Sequence, residues 1–475
     1  MDEIAHTGII LNNYHAQPVC SPTRASLLSG RHVIHTGIYM PFDQGTALRL
    51  NLTYTLLPAY LKKLGYSTHM VGKWHIGQNE LAALPTRRGF DTYFGYLSGA
   101  EDYYLHTALG AYDLSDGIRT AFEYNGTYST GLWISKTQEI IDKSHASTPF
   151  FIYLPFQNVH WPLEAPANYM KAFAHATGGE PRRQAVCAMT KIMDDGIGQI
   201  IAALKMKGIY EKTLIVFASD NGGPTNGNEN TWSSNYPMRG GKNTLWEGGT
   251  RVVAAIRGPG LKKEMIGTVT YGKIHVTDWL PTLLRVASGD RDWLKNNMPK
   301  GEPPFLLGDG MDIWDLLSRG KEVRTEIIKE CHSAEHLHAV HGNALTVGDW
   351  KILKFGDMHP QMEAGWVPPP GQDPSKIAYQ LPCDRSLQPS TVDPLECKNS
   401  YCLFNVTADP CEYHDLASQF PGVVTRLMRR LEEYQKTAVP EVKEEDCGCE
   451  PVITKGAWRP CDSPDPDAFS HDVVV

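Results

Sequence analysis

The 475-residue chain lacks several features that would assign it to common protein classes. It has no apolar run long enough to span a bilayer, so the sequence predicts no membrane span. It has no excess of basic residues, and its formal net charge of -8 argues against a general nucleic-acid-binding protein. Residues 1–6 are neither basic nor followed by an apolar run, so they do not form a secretory signal.

Cysteine, by contrast, is plentiful, because seven of the ten cysteines lie between Cys383 and Cys461. This clustering is typical of a disulfide-stapled, loop-rich tail in an oxidising compartment. A zinc site is the less favoured alternative, since no paired C-x-x-C or local histidine completes four ligands. Sequons at Asn51, Asn125 and Asn405 permit glycosylation. A secreted-type composition without a signal indicates that the start of the gene product is missing.

Short apolar runs predict the buried strands of the main domain. Residues 150–156 and 214–218 are the clearest strands, and residues 66–71 are a further candidate. Residues 183–204 repeat apolar side chains at helical spacing. This alternation of strands and helices favours an α/β layer fold with a largely parallel sheet.

The character of the chain changes near residues 356–400, which are rich in proline and serine and resemble a loop. A short segment at 401–406 and a helix near 423–436 follow. We therefore predict a main domain over residues 1–340 and a smaller C-terminal domain over residues 341–475.

Cys20 begins a segment, C-S-P-T-R, that reads as the first turn of a helix, with Pro22 in that turn and Gly30 at the end of the helix. The helix dipole would favour an anion there, and Arg24 lies one turn on. An isolated cysteine is most often a buried structural residue. A phosphatase loop spaces its cysteine and arginine more widely, and a papain-like protease has other neighbours around its cysteine.

Lys73 and His75 follow the candidate strand at 66–71, in the sequence G-K-W-H. Two apart on an extended segment, they point to the same side, where one can fix an anion and the other can move protons. Taken alone, a surface lysine and a core histidine would be the better interpretation.

Two further polar groups stand at strand ends. His160 follows the 150–156 strand, and Asp220 with Asn221 follows the 214–218 strand. Asp and Asn offer oxygen ligands, which suit calcium or magnesium rather than zinc, although an Asx turn is the structural alternative. Because ligands of open α/β sheets bind beyond the carboxyl ends of the strands, these residues are expected to converge.

The segment C-S-P-T-R-A-S-L-L-S-G resembles the sulfatase signature C-x-P-x-R, and G-K-W-H and the glycine-rich loop at residues 240–249, which carries Lys242, are also similar to sulfatase motifs. The order of motifs is similar to that family from about residue 8 to the C-terminal helix. Residues 69–71 and 84–96 resemble the arylsulfatase B (N-acetylgalactosamine-4-sulfatase) branch. The resemblance implies an alkaline-phosphatase-like fold: a large, mostly parallel or mixed sheet flanked by helices, plus a smaller C-terminal domain with an antiparallel sheet and a helix.

The resemblance also implies the chemistry: hydrolysis of sulfate esters, as in sulfated glycosaminoglycan sugars or aryl sulfates, in a lysosomal or secreted protein. A formylglycine-generating enzyme would oxidise Cys20 to formylglycine, whose hydrate supplies the nucleophile. Each remaining site residue takes one role. By this resemblance, Arg24 and Lys73 would stabilise the nucleophilic oxygen and the sulfate, and His160 and Lys242 would lie at the ester oxygen. His75 would help to restore the aldehyde, and Asp220, Asn221 and the residue at Cys20 would hold calcium.

The chain departs from the family pattern at the metal site. Family members also bind calcium with an acidic pair after their first strand, whereas only nineteen residues precede Cys20 here. Asp2 and Glu3 are misplaced for that role, and Asp194 with Asp195 lies in the amphipathic helix. We therefore expect the first strand and half of the carboxylates to be absent, so that the chain as written binds calcium poorly and hydrolyses an aryl sulfate little or not at all. A non-catalytic, sulfatase-shaped binding protein remains the alternative, and a phosphatase or phosphodiesterase of the same superfamily is a weaker one.

Overall fold

The computed structural model describes residues 1–175, 177–225, 229, 231–331, 342–356, 365–370, 372–374, 381, 383–393 and 396–463. Its strands, in chain order, are β1 (Ile9–Leu11), β2 (Tyr14–His15), β3 (Ser67–Val71), β4 (Thr92–Tyr96), β5 (Thr107–Ala108), β6 (Ala111–Tyr112), β7 (Leu114–Asp116), β8 (Arg119–Thr120), β9 (Phe150–Tyr153), β10 (Ile215–Ala218), β11 (Ala254–Arg257), β12 (Thr268–Thr270), β13 (Ile274–His275), β14 (Glu326–Glu330), β15 (Gly342–Val347), β16 (Trp350–Phe355), β17 (Cys402–Asn405), β18 (Val452–Thr454) and β19 (Ala457–Arg459).

The helices are, in chain order, α1 (Asp2–His6), α2 (Cys20–Ser29), α3 (Val33–Thr36), α4 (Leu57–Lys63), α5 (Ser129–Lys143), α6 (Ala167–Ala172), α7 (Pro181–Met206), α8 (Glu247–Thr250), α9 (Trp279–Ser288), α10 (Trp293–Asn297), α11 (Trp314–Arg319) and α12 (Pro421–Gln435). In the described part of the chain, no helix combines the length and apolar character that crossing a membrane requires.

Two mixed sheets form the centre of the larger part of the molecule. The first has the order β8-β7-β4-β3-β9, with β3 parallel to both β4 and β9. The second has the order β10-β11-β1-β12, in which β1 is parallel to β12 and antiparallel to β11. The three strands predicted from apolar runs are β9, β10 and β3, so the sequence located them within a few residues.

The helix that begins at Cys20 follows its sequence signals closely. Pro22 lies in its first turn, where a missing N–H costs no helical hydrogen bond. Gly30 ends it with a φ of 67°, a left-handed conformation that glycine adopts without steric cost. Ala25 and Leu28 pack into a buried cluster with Trp74, which fixes this helix against the segment that follows β3.

A third sheet, entirely antiparallel, has the order β14-β15-β16-β17 and packs against α12. Its first strand, β14, comes from chain before residue 340. The segment after α12 returns to the larger part of the molecule, where β19 pairs with β6.

The C-terminal tail is cross-linked by disulfides, as its clustered cysteines predict. Disulfides join Cys383 to Cys411, Cys397 to Cys402 and Cys449 to Cys461. Six of the seven clustered cysteines are thereby used, which argues against the zinc alternative, and Cys447 keeps a buried thiol.

Candidate active site

Cys20 lies at the first position of α2, buried beneath the ends of the central strands. Its Sγ is 3.6 Å from Asn221 Oδ1. Burial raises the pKa of the Cys20 thiol, but the ammonium groups of Lys242 and Lys73 outweigh burial and hold that pKa well below its usual range. The position is therefore strongly electropositive and favours an anion.

Arg24 joins this helix to two other parts of the site. Its Nη1 donates to the backbone oxygen of Lys73 at 2.9 Å, and its Nη2 donates to Asp220 Oδ2 at 2.7 Å. The neighbouring Thr23 hydroxyl donates to the Asp220 backbone oxygen at 2.6 Å. One helical turn thus holds both the loop after β3 and the loop after β10.

Lys73 and His75 follow β3, as the sequence predicts. Lys73 is 2% exposed, and burial lowers the pKa of its ammonium group, an effect that the Cys20 thiolate partly offsets. His75 has a φ of 61°, and its Nε2 lies 2.8 Å from the Phe42 carbonyl oxygen, which fixes the ring. Burial and then the charge of Lys73 lower the pKa of His75 to about 4, so its imidazole is neutral near neutral pH.

Asp220 and Asn221 follow β10 and enter the site through a glycine turn. At Gly222, a Cβ atom would lie 1.8 Å from the Gly248 carbonyl oxygen, so no larger residue fits there. This contact packs the β10 loop directly on the segment after Lys242. The Asx-turn alternative does not account for Asn221, whose Oδ1 faces Cys20.

The side chains of Lys242 and His160 lie next to each other beside Cys20. Lys242 Nζ lies 3.3 Å from His160 Nε2, while His160 Nδ1 is 2.7 Å from the Trp161 carbonyl oxygen. The Cys20 thiolate and the Glu229 carboxylate raise the pKa of Lys242 in spite of its burial. A proton donor for a departing oxygen is thus available beside Cys20.

Glu229 is the site residue that the sequence analysis missed. Its carboxylate forms an ion pair with Lys242 and lies 3.7 Å from His160 Nε2. It lies in a polar stretch of sequence with no recognisable motif, so only the folded contact reveals it.

All eight residues expected at the site are therefore brought together in one region. Asp194 and Asp195 lie elsewhere, on α7, where Asp194 pairs with the chain's amino group and Asp195 with Lys191. Glu3 pairs with Lys205, which also separates it from the site. These contacts place none of the three carboxylates beside Cys20, as their positions in the sequence predict.

The oxygen donors next to Cys20 are the hard kind that calcium prefers. Asp220 and Asn221 supply them, and the Asn221 oxygen already faces the Cys20 side chain. The donor set fits calcium in chemistry, although two side chains cover only part of the six to eight oxygens that the ion takes.

Comparison with known proteins agrees with this geometry. The family model described as Sulfatase matches residues 1–289. Mouse arylsulfatase J is 36% identical, over 97% of this chain and 75% of its own length. Mouse N-acetylgalactosamine-6-sulfatase is 27% identical, over 93% and 82% respectively. The crystal structure of Ps i-CgsB in complex with k-i-k-neocarrahexaose has a TM-score of 0.71 at 22% identity, covering 94% of this chain and 89% of that chain, and it supports the fold.

Proposed function

Because this chain belongs to the sulfatase family, we propose that it hydrolyses sulfate esters of sugars through a formylglycine made from Cys20. The alkaline-phosphatase-like fold predicted from the sequence is confirmed. The observation that carries the proposal is the ring of cationic and imidazole groups around Cys20, since a sulfate ester is an anion whose leaving oxygen needs a proton.

At position 20, formylglycine would supply the attacking oxygen through its hydrate. The helix N-terminus and the charges of Lys73 and Lys242 favour a negative oxygen at that position. Arg24, held by Asp220, contributes a further fixed cation. These groups are placed before the reaction begins, so they need not reorganise as charge develops on the sulfate.

The leaving alcohol would take its proton from the pair formed by His160 and Lys242. Their nitrogens are 3.3 Å apart, so one proton can be shared between them at the ester oxygen. His75 is neutral above a pH of about 4 and is thus ready to accept a proton when the aldehyde is restored.

Calcium is the metal that the donors fit, and when bound it would polarise the sulfate oxygens. Asp220 and Asn221 would hold it together with the formylglycine oxygen. A chelator should lower turnover, and added calcium should restore it. If chelation has no effect, Arg24, Lys73 and Lys242 suffice without a metal.

For the substrate we propose a sulfated glycosaminoglycan sugar, with arylsulfatase B-like specificity. A relative named N-acetylgalactosamine-6-sulfatase supports an amino-sugar sulfate. The three disulfides suit a lysosomal or secreted glycoprotein that meets the formylglycine-generating enzyme during export. We propose residues 1–340 as the catalytic domain and 341–475 as the C-terminal domain, to whose sheet the first domain contributes β14.

A non-catalytic binding protein is the second candidate, because Asp220 and Asn221 are few ligands for calcium. Assays of turnover with an aryl sulfate and with a sulfated N-acetylgalactosamine distinguish a sulfatase from a non-catalytic binding protein. We expect slow hydrolysis by the wild-type protein, because calcium has few ligands here, and none by Cys20→Ser. The matched control is Cys187→Ser, which removes a free thiol on α7 and should leave activity unchanged. Sulfate-ester binding without turnover in wild-type protein would favour the second candidate.

A further inference from the structure

The segment from Gly240 to Thr250 holds three separate parts of the active site. It carries Lys242 itself, and its backbone bonds to the residues just before Cys20 and to those just after Asn221. These backbone contacts are Gly222 N to Gly249 O at 2.9 Å, Lys242 N to Gly223 O at 3.3 Å, Asn243 N to Pro18 O at 3.0 Å and Ala16 N to Thr250 O at 2.8 Å. A displacement of this segment would therefore move several site residues together.

Two lysines of the antiparallel C-terminal sheet reach into this segment at Glu247, the first residue of α8. Lys329 Nζ on β14 lies 2.9 Å from Glu247 Oε1, and Lys351 Nζ on β16 lies 3.1 Å from the same oxygen. Both lysine side chains are fully buried, and that of Glu247 is 1% exposed. Lys351 also donates to the Leu245 carbonyl oxygen at 2.7 Å.

Glu412 completes what we call the buried lysine–glutamate network: Lys329, Lys351, Glu247 and Glu412. One of its oxygens accepts from Lys351 at 2.6 Å, and the other accepts from the backbone N–H of Glu247 at 2.7 Å. Lys329 in addition donates to the Thr250 hydroxyl at 2.6 Å. The network thus bonds to the first and last residues of α8, Glu247 and Thr250, and to Leu245, two residues before the helix.

Stability alone is a poor reason for four buried charges. Replacing a buried ion pair with apolar side chains of similar volume is often neutral or stabilising, whereas charged groups fix a geometry through directional bonds. The two residues after Glu247 are tightly packed. A Cβ atom added at Gly248 would lie 2.5 Å from a backbone oxygen, and one added at Gly249 would lie 2.2 Å from another. Movement at Glu247 would therefore be transmitted to Gly222 and Lys242.

We propose that Lys329, Lys351 and Glu412 are positioning residues of the active site, through which the C-terminal sheet sets the placement of Lys242 and of the turn after Asp220. They touch no reacting atom and act through Glu247 and its backbone. This inference rests on the proposed sulfatase function for its kinetic consequence, but its structural consequence is independent of that function.

The test compares Lys351→Met with Lys354→Met in the full chain. Both remove one charge from β16, but Lys354 is half-buried and its ammonium lies 5.8 Å from the Tyr401 ring centre, away from Glu247. Turnover of an aryl sulfate should fall roughly ten- to a hundredfold in Lys351→Met, with KM little changed, because the reacting groups are misplaced. Lys354→Met should match wild type. Equal kcat in the two variants would overturn the proposal.

A second variant separates positioning from stability. Lys351→Met combined with Glu412→Gln leaves Lys329 paired with Glu247 and restores charge balance, so the melting temperature should recover while kcat stays low. Recovery of kcat together with stability would overturn the proposal. If Lys351→Met does not fold, Glu412→Gln alone is the milder test, since it keeps an acceptor for the Glu247 N–H and should lower kcat in the same direction. An unchanged kcat in that variant would also overturn it.

Hydrogen exchange keeps the proposal testable if the wild-type chain hydrolyses no sulfate ester, a result that would sink the proposed function alone. Amides at 222–223 and 240–250 should exchange faster in Lys351→Met than in Lys354→Met, while those of α12 remain unchanged. Equal exchange in the two variants would overturn the positioning role, whatever the activity.

Discussion

Two buried lysines, Lys73 in the active site and Lys351 in the buried lysine–glutamate network, show opposite uses of the same side chain. The Lys351 ammonium contacts two carboxylates and a carbonyl oxygen. Across the described residues, Lys73 forms no ion pair within 4.0 Å, and burial lowers its pKa. The comparison shows that a buried lysine is paired with carboxylates where it holds a segment in place. Where the lysine must bind an anion, it has no such ion pair.

Lys73→Met tests this comparison with the largest expected effect, a loss of activity. Removing one pre-placed cation from the sulfate should lower kcat/KM by about a thousandfold, near the upper range for a single electrostatic donor. Stability should be unchanged or slightly higher, because a buried charge without an ion pair is removed. Enzyme kinetics measure kcat/KM, and thermal unfolding measures the stability. Lys62→Met, which removes a surface partner of Asp91, is the control. A large loss of stability would show that Lys73 is structural.

Glu247→Gln should give the reverse result, a loss of stability. It removes the carboxylate that both Lys329 and Lys351 contact, and breaking a buried pair costs about 3 kcal/mol. The free energy of unfolding in urea measures this. The control Glu211→Gln breaks a pair whose carboxylate is 80% exposed, and it should cost less than about 1 kcal/mol. Equal stability of the two variants would contradict the role given to the network.

Glu101 is a buried carboxylate whose partner is a histidine rather than a lysine. It extends the comparison to a buried acid whose protonation makes stability depend on pH. Burial raises its pKa from 4.5 to about 7, although the hydrogen bond from His106 opposes this. Between those values the folded state binds more protons than the unfolded state, so stability falls as pH rises. From pH 5 to 7.5 Glu101 should account for a loss of about 2 kcal/mol.

Urea unfolding at several pH values tests this prediction. Glu101→Gln should flatten the profile over that window. A wild-type protein whose stability rises through the window, with the same slope in Glu101→Gln, would be the contrary result. Greater stability at acid pH would also suit the proposed lysosomal location.

Glu229→Gln should have the smallest effect. The carboxylate partly neutralises Lys242 beside His160 and would compete with an incoming sulfate. Its side chain is 21% exposed, so its removal should improve substrate binding by about 0.5–1 kcal/mol, a two- to fivefold lower KM. Substrate titration measures KM, and Glu123→Gln, in an exposed ion pair with Arg119, is the control. A higher KM in Glu229→Gln would mean that the carboxylate helps binding.

Local signals in the sequence were sufficient for the helix at Cys20 and for the strands that end before Lys73, His160 and Asp220. Each depends on a proline, a glycine or an apolar run within a few residues. Glu229 and the buried network were not predictable in this way. Lys351 meets Glu247 across 104 positions of the chain, and neither lies in a motif that identifies the other. Contacts of that range follow from the packing of the C-terminal sheet on the segment from Gly240 to Thr250, which no local pattern encodes.

The central claim is that Cys20 becomes an aldehyde, and peptide mass spectrometry tests it most directly. The full-length protein should be produced in cells that contain the formylglycine-generating enzyme, and the peptide that contains Cys20 should be analysed. We predict that active protein carries formylglycine at that position. Protein that hydrolyses a sulfate ester while its Cys20 is entirely an unmodified thiol would contradict the account.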